Sequence, residues 1–189
     1  MKNIVIIGGT KGIGKAIVAS LVTNNNITCL SRNKSEFSHD NYSHIKYNSL
    51  EDNLPEIEFV DCLIYCPGSI NLKPITNLSI DDFRDDFEIN VIGAVKCIKK
   101  YLPQLKNGVN PSILLFSTVA TKLGMPYHAS VSVAKSGIDG LVKTLGAELS
   151  PKIRINAIAP TITDTELASK ILRNEKVIEN MIERHPLKK

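Results

Sequence analysis

The sequence predicts an α/β fold: a doubly wound parallel sheet of about six strands with helices on both faces. Three observations carry this. Short apolar runs of strand length alternate with longer patterns of helical period, as right-handed strand–helix–strand crossovers require. The strand runs are nearly all apolar and not alternating, as strands covered on both faces are. A glycine cluster follows the first strand and opens the first helix.

The elements follow in order. Ile4–Ile7 predicts the first strand. Ile13–Leu21 predicts a helix with Ile13, Ile17, Val18 and Leu21 on one face. Ile27–Leu30 predicts the second strand, His44–Tyr47 the third and Asp61–Tyr65 the fourth. Ile113–Phe116 and Ile153–Ala159 predict the fifth and sixth. Between the last three lie two long helices. One begins at Ser79, placed to cap it with Asp82 at the third helical position, and carries Phe83, Phe87, Val91, Ala94, Val95, Ile98 and Leu102. The other covers roughly His128 to Leu149, with Val131, Ala134, Ile138, Leu141, Val142, Leu145 and Leu149 spaced by threes and fours. Pro151 stops it. The stretch from Ser31 to Pro55 is the most polar, and no repeat or linker interrupts the chain.

Bulk composition sets limits. A length of 189 residues predicts one domain spanning residues 1–189, large enough to bury most of a core. Apolar content of 43% with 22% charged residues is that of an ordinary soluble protein. The net charge of +4 is small and spread along the chain, apart from Lys188–Lys189, so no nucleic-acid partner is expected. No apolar run approaches a membrane span, and the run after Met1-Lys2-Asn3 is too short for a signal peptide. Cys29, Cys62, Cys66 and Cys97 have no metal-site spacing. They read as reduced, buried thiols of a cytoplasmic protein, and no metal is expected.

The segment Gly8-Gly9-Thr10-Lys11-Gly12-Ile13-Gly14 carries the first chemistry. A diphosphate has to approach backbone closely, and a Cβ would block it. The free N–H groups and dipole at a helix start then favour negative charge. With Lys135, Asn90 and the segment Asn156-Ala157-Ile158-Ala159-Pro160, this loop resembles the short-chain dehydrogenase/reductase family, from Ile4 to about Leu167. Members carry TGxxxGxG at the first turn, a helix asparagine, a Ser…Tyr-x-x-x-Lys set and an N-x-x-x-P-G segment, in this order.

The resemblance implies a Rossmann-type NAD(P)-binding domain and an oxidoreductase acting on a small carbonyl or alcohol. It assigns cofactor contacts to Gly8, Thr10, Lys11, Gly12, Ile13 and Gly14, to Ser31 and Arg32 at the end of the second strand, and to Tyr65 and Gly68 after the fourth. Lys135 would bridge ribose hydroxyls. Pro160, Ile162 and Thr165 would hold the nicotinamide end, with Thr161 in place of the usual glycine. Family members usually have Asn-Asn-Ala-Gly where this chain has Tyr65-Cys66-Pro67-Gly68, so the polar side chains that brace neighbouring strands are gone. The residue ending the second strand meets the adenosine ribose. Leu30-Ser31-Arg32-Asn33 contains no acid to repel a 2′-phosphate, whereas Arg32 can pair with one in a bidentate way and Lys11 can add a second cation. NADP(H) is therefore the expected cofactor.

The reaction centre departs from the family pattern. Counted from Lys135, the tyrosine position is Val131. The serine interval leads to Thr118, directly after Ser117, and a threonine hydroxyl can still hold a substrate oxygen. Asn90, on the apolar stripe of its helix, would sit at a kink and hold a water towards the lysine. The missing proton donor has no clean replacement. Tyr127 leans away from Lys135. Ser130 and Ser132 are weak acids lying around the helix from the slot. His128 precedes Lys135 by two turns, about 10 Å along the axis, and has a suitable ionisation range. The catalytic candidates are thus Asn90, Thr118, Lys135 and His128. Two readings remain open: an oxidoreductase with a non-standard proton donor, and a cofactor-binding protein without turnover, such as a redox sensor or partner subunit. Family members usually continue into a seventh strand. Without one the sixth becomes an edge, and the chain reads as C-terminally short. The helices around Ser79–Leu105 and His128–Leu149 suggest a homodimer or homotetramer.

Overall fold

One parallel sheet organises the chain, in the strand order β3-β2-β1-β4-β5-β6. The strands are β1 (Asn3–Ile7), β2 (Asn26–Ser31), β3 (Tyr42–Lys46), β4 (Cys62–Tyr65), β5 (Ser112–Phe116) and β6 (Arg154–Ile158). The computed structural model describes the whole sequence except Leu50, Lys170, Arg173, Pro186 and Lys189, and the side chain of Arg184. Strand pairing is parallel throughout, with Ile7 opposite Leu30 on one side and Tyr65 on the other.

The apolar runs are explained by the two faces they cover. Val5 and Ile7 pack with Leu63, Tyr101, Leu105, Ile113 and Ile138 on one side. Ile4 and Ile6 pack with Val18, Val22, Ile27 and Ile64 on the other. A strand in which successive residues enter different cores has no position for a polar side chain. The first face is covered by α3 (Gly93–Asn107) and α4 (Ala129–Leu149), with α2 (Ile80–Phe87) packed on α4, and the second face by α1 (Gly12–Leu21).

The capping expected at Ser79 is present as a reciprocal box with Asp82. The single helix expected beyond it is two helices joined by a π-helical turn, Glu88–Ile92, in which the Gly93 N–H bonds the Glu88 carbonyl. The Ile89 carbonyl accepts from the Tyr65 hydroxyl instead, at 2.6 Å. A Cβ on Gly93 would lie 2.1 Å from that hydroxyl, so only glycine leaves room for the contact. One further helix, α5 (Glu175–Arg184), lies outside the sequence expectation. Asn174 caps it through the Val177 N–H.

The strand order reverses between β1 and β4. At such a switch point crossovers leave in opposite directions, and a crevice opens at the carboxyl ends of the strands. β6 pairs only with β5 among the described residues and forms the sheet edge.

Candidate functional site

The turn between β1 and α1 is shaped by what cannot be there. Gly8 and Gly12 have φ of +79° and +49°, a region that L side chains rarely adopt. A Cβ on Gly14 would stand 2.2 Å from the Gly8 carbonyl oxygen. The turn is tied down by the Gly8 N–H, which donates to Leu30 O at 2.7 Å. No side chain caps α1, and its first turn holds no acid, so its orphan N–H groups face the crevice. One of them already carries an anion. The Gly12 N–H donates to Glu166 Oε2 at 3.1 Å, a carboxylate oxygen standing where a phosphate oxygen would. The cradle and this stand-in fit a dinucleotide diphosphate.

The crevice has a volume of about 400 Å³. Gly8, Thr10, Lys11, Gly12, Ile13 and Gly14 line it from the first turn, and Ser31 and Arg32 from the end of β2. Gly68 and Thr165 close the other side. Glu166 is the only acid among the described lining residues.

Tyr65 lies elsewhere. It is 2% exposed in the core beneath α3, and its hydroxyl serves the π turn, so it packs rather than lines the crevice. Its partner on the crevice side is Cys66, the next residue of the strand end. Pro160 and Ile162 are also outside the lining. The Pro160 carbonyl accepts from Val119 N–H at 3.2 Å, which ties the segment after β6 to the turn after β5. Tyr47, Asn48, Ser49 and Glu166 line the crevice without a motif to announce them. The first three follow β3, which is parallel to β2, so the chain leaves both strands at the same edge.

Lys135, on α4, is 9% exposed and its Nζ donates to the Phe116 carbonyl at 2.7 Å. Burial pushes its ionisation down to about 8, and the nearby Cys66 and Asp86 push it partly back up. A Cβ built on Gly68 would lie 3.2 Å from Asn90 Oδ1 and 3.5 Å from Lys135 Nζ, so the glycine leaves room beside both polar groups, which lie behind the crevice lining. Asn90 sits inside the π turn and is 1% exposed. Its Nδ2 donates to Asp86 O at 2.7 Å and to Ser69 Oγ at 2.9 Å.

The other candidates are less closely joined. Thr118 follows β5, where its hydroxyl accepts from the Ala120 N–H at 3.3 Å. Val131 is 7% exposed and carries no proton to give. His128 stands at the N-cap of α4, half-buried, with Nδ1 2.7 Å from the Pro126 carbonyl. A carbonyl only accepts, so Nδ1 carries the hydrogen and Nε2 is the nitrogen left for other work. Tyr127 is exposed with φ of +68°. Among the described residues no group of three or more His, Cys, Asp or Glu is arranged to hold a metal ion, and no helix is long and apolar enough to cross a membrane.

Sheet order, switch-point crevice and glycine turn together define a Rossmann-type nucleotide-binding fold. Residues 48–189 match the family model described as enoyl-(acyl carrier protein) reductase. The chain is 27% identical to the 3alpha-hydroxysteroid dehydrogenase of Mediterraneibacter gnavus, over 98% of this chain and 82% of that one. It is 31% identical to the peroxisomal 2,4-dienoyl-CoA reductase of Saccharomyces cerevisiae, over 75% of this chain and 49% of the relative. Among solved structures it resembles ElxO with NADP bound, with a TM-score of 0.86 and 26% identity, covering all of this chain and 86% of that one. The chain belongs to the short-chain dehydrogenase/reductase family, whose members are oxidoreductases that use nicotinamide cofactors.

Proposed function

We propose that the protein is an NADP(H)-dependent oxidoreductase acting on a small carbonyl or alcohol in the cytoplasm, as one domain over residues 1–189. The observation that carries the cofactor choice is the charge lining the crevice. Arg32 and Lys11 meet it, and the end of β2 offers no carboxylate to oppose a 2′-phosphate. ElxO, similar over the whole chain, binds NADP. The cofactor would supply the hydride. Arg32 would pair with the phosphate through its planar fork. The Lys135 ammonium would hold ribose hydroxyls, and Thr118 would hold the substrate oxygen. His128 would present Nε2 as the proton donor.

Calorimetric titration of NADPH and NADH tests the cofactor reading. NADPH should bind more tightly, and Arg32→Ala should remove about 1–3 kcal/mol of that preference. Equal affinities in the wild type would end the assignment.

A second reading keeps the cofactor and drops the turnover. Val131, buried at the position of the family's proton donor, favours an NADP(H)-binding protein such as a redox sensor or partner subunit. Association as a homodimer or homotetramer is proposed on either reading, because Phe87 and Val133 leave apolar surface exposed on α2 and α4. Light scattering at micromolar concentration should then report more than a monomer.

A further inference from the structure

Behind Lys135 lies a carboxylate that the chemistry above does not use. Asp86, in the last turn of α2, is 0% exposed. A charge so placed is unfavourable unless other groups compensate it. Its Oδ1 accepts hydrogen bonds from Ser69 Oγ and, at 3.3 Å, from Asn71 Nδ2. Its backbone carbonyl accepts from Asn90 Nδ2 at 2.7 Å, and that same Nδ2 donates to Ser69 Oγ at 2.9 Å.

Two acceptors on residue 86 set the bond directions in this cluster, its carboxylate through Ser69 and its backbone carbonyl directly. A carboxylate only accepts, so the Ser69 hydroxyl has to donate to it. Ser69 is then free to accept, and it accepts from Asn90. Both hydrogens of the Asn90 amide are used inside the cluster, so its oxygen points out of the other side. That oxygen lies 3.2 Å from the point, beside Gly68, that is 3.5 Å from Lys135 Nζ. A flipped amide would set oxygen against the Asp86 carbonyl. Asn90 Oδ1 and Asp86 Oδ2 are both buried without a hydrogen-bond partner among the described residues.

We propose that Asp86 is a positioning residue for Lys135: through Ser69 it fixes the Asn90 amide with its oxygen towards the lysine, and its charge balances the buried ammonium. The inference rests on Lys135 being the reaction-centre lysine. The titratable groups beside that lysine are Cys66, from the loop after β4, and Asp86, from α2; burial pushes the Cys66 thiol up to about 12, so it is uncharged where the lysine titrates, which leaves Asp86 to favour the ammonium against burial. Cys66 flanks the crevice; Asp86 is the one built into the hydrogen-bonded cluster.

The test uses the intact chain without cofactor, labelled with ¹³C-lysine and ¹⁵N-asparagine. The Lys135 signal is assigned by its loss in Lys135→Arg and followed by NMR from neutral to strongly alkaline pH. Asp86→Asn should lower the Lys135 titration midpoint by about one pH unit. It should also shift or split the Asn90 side-chain amide signal, since an amide at position 86 no longer dictates the direction of the chain. An unchanged midpoint overturns the proposal. Ser69→Ala carries the test should Asp86→Asn fail to fold. An altered Asn90 amide signal there supports the proposal, and an unaltered one refutes it. No nucleotide is present, so failure of the NADPH titration and failure of this experiment are separate outcomes.

Discussion

At the glycine-turn end of the crevice an anion is held by backbone, whereas around Lys135 the polar groups are side chains, each placed by its own element. The first end needs only that N–H groups point into the crevice and that no Cβ stands in the way. Gly8, Gly12 and Gly14 meet that need, and Glu166 already shows an anion seated there. The second end depends on individual side chains. On the proposed reading Lys135, Asn90 and Thr118 would serve it, and position 131 offers methyl groups where that chemistry would ask for an O–H. A binding site built from backbone can be complete while a reaction centre built from side chains lacks one member. On the proposed reading, binding and turnover are separable and can be tested apart.

The largest effect that could break this contrast is at Val131. Val131→Tyr should raise NADPH-dependent reduction of a reactive ketone by about a hundredfold or more, the usual contribution of general acid catalysis. Loss of NADPH absorbance reads it directly. Fast turnover by the wild type would mean that another acid works there, and His128→Ala should then abolish the rate. A Val131→Tyr variant that binds NADPH and gains nothing would move the binding-protein reading ahead.

The second test probes how costly the Lys135 end is. The folded state holds this lysine's ionisation near 8 against 10.5 in the unfolded chain. Between those values the unfolded state binds more protons, so stability falls as pH drops from 10.5 towards about 8 and levels off below it. Lys135→Met removes the buried charge. It should be more stable than wild type at neutral pH, and its advantage should shrink on the order of 3 kcal/mol by pH 10.5. Denaturant melts at the two pH values measure this. A pH-independent difference would show that burial does not hold the lysine down.

The smallest effect sharpens the other side. Glu166→Gln should tighten NADPH binding by about 0.3–1 kcal/mol, because the carboxylate that occupies the Gly12 N–H competes with the diphosphate. Weaker binding would mean that Glu166 supports the site instead.

How far the sequence carries these arguments differs by residue. The central strands are legible because both their faces are covered, which forces uninterrupted apolar runs such as Ile4–Ile7, whereas the edge strands β3 and β6 are partly exposed and carry polar residues that blur their bounds. The glycine turn is legible because its requirement is local. Lys135 and Asn90 are legible through spacing on a helix. The Tyr65 side chain, expected at the crevice, packs in the core, because successive strand residues face opposite ways and the crevice-side one is Cys66. Tyr47, Asn48 and Ser49 are brought in by the pairing of β3 with β2, and Glu166 by the fold of the chain after β6. Asp86 looks like one acid among several in Ile80-Asp81-Asp82-Phe83-Arg84-Asp85-Asp86. Only the packing of α2 shows which of them is inside.

The π turn between α2 and α3 behaves as a phase shifter. It takes in one residue more than a regular turn, and one residue corresponds to about 100° of rotation. Upstream, that sets Asp86 inward. Downstream, it sets Tyr101 and Leu105 fully into the core. Deleting a single residue from 88–92 would restore an unbroken ladder and leave the two halves out of step. Either the polar cluster or the apolar face would then turn to the wrong side. The length of this helical segment is therefore fixed to the residue.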